Sequence, residues 1–121
     1  MVHELKYDDE NGILVLTFKN HFLFSDVEPI FSQAKVMLEN KPYRQVIIIT
    51  NNSNNIENRE TREAISVELT KLAVTEVAII GVNAATRMIA KVIFKTGIIK
   101  IKGEFFKSLD EAIIWLKSNR K

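Results

Sequence analysis

EVAIIGVNAATRMIAKVIFK, residues Glu76 to Lys95, joins a short apolar run, one glycine and an unusually apolar helical pattern. Val77 to Ile80 has no polar face. A strand of that kind is covered on both sides, as in a parallel sheet lying between helices. Gly81 gives the turn a permissive backbone, and a helix is expected to begin close to Asn83. Thr96-Gly97 closes that helix, since glycine is favoured just past a helix C-terminus.

Working upstream, Arg44 to Thr50 reads as another buried strand, with Val46 to Ile49 again β-branched throughout. The polar loop Asn51-Asn-Ser-Asn-Asn55 follows it, then a helix from about Ile56 to Leu72 with Ile65, Leu69 and Leu72 at helical spacing. Before these, Ser25 and Glu28 match a capping box. The helix they open carries Val27, Ile30, Phe31, Ala34, Met37 and Leu38 on one face. Pro29 is placed in its first turn, and its end near Asn40, ahead of Lys41-Pro42. The N-terminal part reads as a hairpin: Leu5 to Asp8, then Asn11-Gly12 supplying positive φ angles, then Ile13 to Phe18. Downstream, a fifth strand is expected over Lys100 to Phe105, broken or bent near Gly103. Ser108 and Glu111 match a second capping box. The last helix should run to about Ser118, with Leu109, Ala112, Ile113 and Leu116 inward.

The element order is therefore β-β-α-β-α-β-α-β-α. Alternating strands and helices imply right-handed crossovers and a mixed five-stranded α/β sheet, its first strand antiparallel and its helices covering the sheet. At 121 residues the chain is read as one domain, residues 1–121, large enough to bury a core without staples. It contains no cysteine, which removes disulfides and thiolate metal sites. A net charge of +2 gives no general attraction to nucleic acid or acidic membranes. No apolar run approaches the roughly 20 residues that span a bilayer, and the first residues lack a signal-peptide pattern. The expected location is the cytoplasm.

The run Val77 to Lys95, followed by Glu104-Phe-Phe-Lys-Ser-Leu-Asp-Glu-Ala-Ile-Ile-Trp-Leu116, resembles the SpoIIAA-like proteins, small bacterial domains of STAS/SEC14 type. The shared pattern is an apolar strand ending in glycine, an apolar helix with an early Arg and a late Phe, and a terminal Phe-Phe…Trp-Leu segment. It covers roughly the last 45 residues, the first half agreeing in element order only. The resemblance implies a single α/β domain with a mixed five-stranded sheet. Anti-sigma-factor antagonists of this kind bind a partner kinase and carry a phosphorylatable Ser in an Asp-Ser-x-Gly-type motif after the third strand. Here that loop reads Thr50-Asn-Asn-Ser-Asn-Asn-Ile56, with Ser53 at the position but neither the Asp nor the Gly. The SEC14 side of the resemblance implies lipid binding in an apolar cavity.

Ligands of open parallel sheets bind at the carboxyl ends of the strands. Asn51, Asn52, Ser53, Asn54, Gly81 and Asn83 fall there and form the candidate ligand or partner loop. One glycine makes neither a P-loop nor a dinucleotide fingerprint. Arg87, Lys91 and Lys95 share one helix face. With Met88 and Phe94 they make the candidate partner or homodimer surface, because the helix is apolar over too wide an arc for one buried stripe. His3 and His21 have no ligand cluster at metal spacing, no Gly-x-Ser-x-Gly elbow is present, and the carboxylates fall mostly at turns and on exposed faces. No catalytic residue, metal or cofactor is expected. Trp115 lies off the inward face and should be partly buried. The expected function is a non-enzymatic binding or regulatory module acting through protein contacts, related to anti-sigma-factor antagonists but lacking their phospho-serine motif. The alternative is a small-ligand or lipid-binding domain using the crevice between the Ser53 loop and the Gly81 turn.

Overall fold

A computed structural model of the chain describes residues 3–50, 56–81 and 101–120. The described elements are β1 (Glu4–Asp8), β2 (Ile13–Thr17), α1 (Phe24–Leu38), β3 (Gln45–Ile49), α2 (Arg59–Lys71), β4 (Glu76–Ile80), β5 (Lys102–Phe106) and α3 (Leu109–Ser118). The strands form one sheet in the order β1-β2-β3-β4-β5. β1 is antiparallel to β2, and every later pair is parallel. The expected α/β sheet with one antiparallel strand is thus the observed one. The helix expected from Asn83, and Lys100 of the fifth strand, lie outside the described residues.

Strand periodicity divides the core in two. Leu14 and Leu16 of β2, Val46 of β3, and Val77 and Ile79 of β4 point to one face. There they meet Val27, Ile30, Phe31, Ala34 and Leu38 of α1, and Ile65 and Leu69 of α2. Neighbouring parallel strands joined in sequence order by crossovers of one hand place those crossovers on one face, hence the shared side of α1 and α2. The alternate residues Ile13, Val15, Ile47 and Ala78 point the other way, onto Ala112 and Leu116 of α3. The apolar β4 strand needs both covers, since Val77 and Ala78 are both fully buried on opposite faces. Truncating a residue such as Ile47 to Ala costs about 2–5 kcal/mol in a core of this kind.

Several local expectations change. Helix α1 starts at Phe24 rather than after Ser25. Its N-terminus is closed by Asp26, whose carboxylate accepts from Leu23 N–H at 2.9 Å. The Glu28 carboxylate instead accepts from Ser32 Oγ at 2.9 Å, one helical turn on. An Asp three residues past the cap reaches back as well as a Glu can, and that competition is invisible in the Ser25/Glu28 spacing. Pro29 consequently lies inside the helix, in its second turn, where its missing N–H is the one that would meet the Ser25 carbonyl. Helix α2 begins three residues later than expected. Asn58 caps it, the side-chain oxygen accepting from Thr61 N–H at 2.9 Å.

In the hairpin only Gly12 takes a positive φ, 70°. Asn11 spends its side chain on Asp8, donating from Nδ2 at 2.8 Å, while Gly12 N–H reaches the Asp8 carbonyl at 2.7 Å. The Asn11 amide holds the Asp8 carboxyl below its ordinary value, the largest of several causes. β5 is not broken at Gly103: its register against β4 runs without interruption from Lys102 to Phe106. Ser108 caps α3 as expected, accepting from Glu111 N–H at 3.2 Å. Leu109, expected inward, is instead 44% exposed. Trp115 is partly buried, its ring 5.4 Å from that of Phe106.

Candidate functional site

At the carboxyl ends of the strands, the connections continue the sheet's pairing. Phe18 N–H donates to the Ile49 carbonyl at 2.8 Å, and Thr50 N–H to the Ile80 carbonyl at 2.9 Å. Phe22 forms an isolated parallel bridge with Ile56, and Glu57 N–H donates to the Phe22 carbonyl at 2.8 Å. The segments after β2 and after β3 are therefore stitched together one step beyond the strands. Gly81, at the end of β4, has φ 84°, which explains its presence as a backbone requirement.

Two apolar side chains stand out of this edge. Leu23 is 41% and Phe24 53% exposed. Their backbones are nevertheless held on both sides. Asp26 takes the Leu23 N–H, and Glu57 Oε1 takes the Phe24 N–H at 2.8 Å. A rigidly anchored backbone carrying exposed apolar side chains loses little conformational freedom on meeting a partner.

Behind this lip lies His3, which the sequence reading had given no role. Its side chain is fully buried. The ring stacks on Phe22 at 5.0 Å and tilts against Phe18 at 5.4 Å. Nδ1 accepts from Lys19 N–H at 3.2 Å. A nitrogen that accepts carries no proton, so in the neutral ring Nε2 holds it and donates to Asp26 Oδ2 at 3.0 Å. One Asp26 carboxylate thus ties the start of β1 to the cap of α1.

The opposite, amino edge of the sheet holds a second polar group. Gln45 and Glu76 begin β3 and β4 in register, and both are buried. Gln45 Nε2 donates to Glu76 Oε1 at 2.8 Å and to the Leu116 carbonyl at 2.6 Å. Thr75 Oγ1 donates to the same Glu76 oxygen at 2.7 Å. Arg120 Nε donates to Gln45 Oε1 at 2.9 Å, and its far nitrogen donates to the Asn11 carbonyl. The guanidinium also lies over the Tyr43 ring, 4.0 Å from its centroid. Glu76 is an exception to the expectation that carboxylates fall mostly at turns and on exposed faces. Its signal was a polar residue directly before each of two apolar strand runs, placed side by side by their register.

Of the expected site residues, Gly81 is positioned at the carboxyl edge. Asn51, Asn52, Ser53, Asn54 and Asn83 lie outside the described residues, as do Arg87, Met88, Lys91, Phe94 and Lys95. His21, in the connection that ends at the lip, is exposed. Among the described residues no three His, Cys, Asp or Glu side chains are grouped to hold a metal. No helix among them is long and apolar enough to cross a membrane. Every buried side-chain nitrogen or oxygen among them has a hydrogen-bond partner.

Residues 7–120 match the model of a family described as a domain of unknown function, DUF7793. The match spans nearly the whole chain, and the protein belongs to that family. No curated protein and no solved structure matches it.

Proposed function

We propose that the protein is a non-enzymatic binding module that acts through protein contacts at the carboxyl edge of its sheet. One observation carries this reading: Leu23 and Phe24 are adjacent exposed apolar side chains whose own backbone N–H groups are bound by Asp26 and Glu57. Exposed apolar side chains on a fixed backbone suit a protein partner, whose own apolar groups complete their burial. Thr50 and Ile56, the described residues that flank the candidate loop in sequence, both lie at this edge. The resemblance to SpoIIAA-like domains belongs to this proposal, and the mixed five-stranded sheet is consistent with it.

Site-directed photocrosslinking tests the reading. A photoreactive phenylalanine analogue at Phe24 should give a protein adduct of discrete mass in cells. The same analogue at Val36, which is 69% exposed on α1, should not. The variant carrying Leu23→Asp and Phe24→Asp should keep its circular dichroism and lose the partner. No adduct at Phe24, or equal adducts at both positions, would refute the proposal.

A further inference from the structure

We propose that His3 is a proton-operated latch on the connection from Lys19 that leads into the apolar lip. Both ring nitrogens are committed, but to unlike partners: Nδ1 to a donor, Lys19 N–H, and Nε2 to an acceptor, Asp26. A second proton has only Nδ1 to go to. Once there, it points a ring N–H at the Lys19 N–H across 3.2 Å, and that hydrogen bond is lost. The Asp26 bond survives protonation and becomes an ion pair at 3.0 Å. The faces of Phe22 and Phe18 receive the charged ring on its flanks. The site can therefore hold the charge in place, and the contact that yields is the one to Lys19.

Asp26 is the charged group bonded to the ring, and the neighbouring carboxylates have partners of their own. From α1, Asp26 faces the imidazole directly. From β1, Glu4 is paired with the Lys19 ammonium at 3.8 Å. From the approach to α2, Glu57 is engaged by Phe24 N–H. Phe18 and Phe22 present only rings, and His21 is exposed in the same connection. Releasing Lys19 removes one anchor from the connection between Phe18, whose N–H stays on the Ile49 carbonyl, and Phe22, which stays paired with Ile56 and Glu57, while Leu23 stays on Asp26. Acidification thus loosens the approach to the lip without detaching α1. The regulatory meaning of the latch rests on the proposed contact role of the lip. Its existence does not.

The chain labelled with 15N, titrated from pH 8 to pH 5, tests it. The ring nitrogen shifts should report the Nε2–H tautomer at high pH and imidazolium at low pH. Over the same range, Lys19 amide protection, corrected for intrinsic exchange, should fall about tenfold, the value of one hydrogen bond. Leu23 protection should hold. The variant His3→Gln keeps one donor and one acceptor but cannot titrate, so its Lys19 protection should stay flat. A ring that charges while Lys19 stays protected, a ring still neutral at pH 5, or an Nδ1–H tautomer at high pH would each overturn the latch. Should H3Q fail to fold, the titration of the unmodified chain decides alone. Absence of a crosslink at Phe24 would remove the contact role and leave these readouts standing.

Discussion

Replacing Gln45 by Leu removes the centre of the amino-edge network while keeping the volume near that of the original side chain. Gln45 is 1% exposed, and three hydrogen bonds pass through it. Two involve charged groups, Glu76 and Arg120, and such bonds are worth about 1.5–3 kcal/mol each, against about 1 kcal/mol for the neutral bond to the Leu116 carbonyl. None of the three partners is wholly orphaned. Glu76 keeps Thr75, Arg120 keeps the Asn11 carbonyl, and the Leu116 carbonyl keeps the Asn119 N–H at 3.2 Å. The loss should therefore fall at the low end of the sum, about 4–5 kcal/mol. Domains of this size hold only about 5–15 kcal/mol, so the variant should fold but marginally. Urea unfolding followed by circular dichroism reads the change directly. With a slope of about 2 kcal/mol per M, the midpoint should fall by about 2 M. Adding Arg120→Leu to the Gln45→Leu variant should then cost less than it does alone, by about the value of the shared bond, its contacts with the Asn11 carbonyl and the Tyr43 ring being lost in either background. A loss below about 1 kcal/mol, or full additivity, would show that the network does not hold the edge together.

Three further outcomes are expected. Gly12→Ala places a methyl group 3.3 Å from the Arg120 guanidinium at a backbone φ of 70°, and should lower stability by about 1–2 kcal/mol in the same unfolding assay. Asn58→Ala removes the cap of α2 together with its bond from Thr61 Oγ1, at a cost of about 1 kcal/mol, whereas Ile114→Ser, at a position 68% exposed, should stay within about 0.5 kcal/mol. The Asp8 carboxyl titrates lower in the folded chain than in the unfolded one. Its contribution is therefore present above the ordinary carboxylate range near about 4 and lost as pH falls through the lower folded value. Asp8→Asn should accordingly be less stable than the parent at pH 7 and match it at pH 2. A difference that persists at pH 2 would assign the effect to packing instead.

Periodicity was enough to place the sheet. The apolar runs Val46 to Ile49 and Val77 to Ile80 have no polar face, a pattern that a strand covered on both sides satisfies. The helical spacing of Val27, Ile30, Phe31 and Ala34 likewise determines the buried face of α1. What escaped the sequence was competition between equivalent donors and acceptors. Asp26 and Glu28 are both plausible caps, and only the backbone decides between them. His3 looked idle because its partners, Lys19 and Asp26, are 16 and 23 residues away. Arg120 reaches the Asn11 carbonyl across a sequence separation of 109. Such long-range polar contacts have no period, so no local pattern announces them.

The strand order β1-β2-β3-β4-β5 also bears on how the chain is made. Each new strand of a protein synthesised from its N-terminus can add to the edge laid down just before it, with no gap left for a later strand to fill. Assembly can thus follow synthesis, and the costly closure of long loops is spread over short steps. The exception is Arg120, which reaches from behind α3 to the first hairpin. Until it arrives, Gln45 and Glu76 lie at an edge that α3 has yet to cover. A nascent chain stalled before α3 would display that polar pair next to the apolar face of Ile13, Ile47 and Ala78. The strand order thus permits a sheet laid down in sequence, with α3 and Arg120 closing its amino edge last.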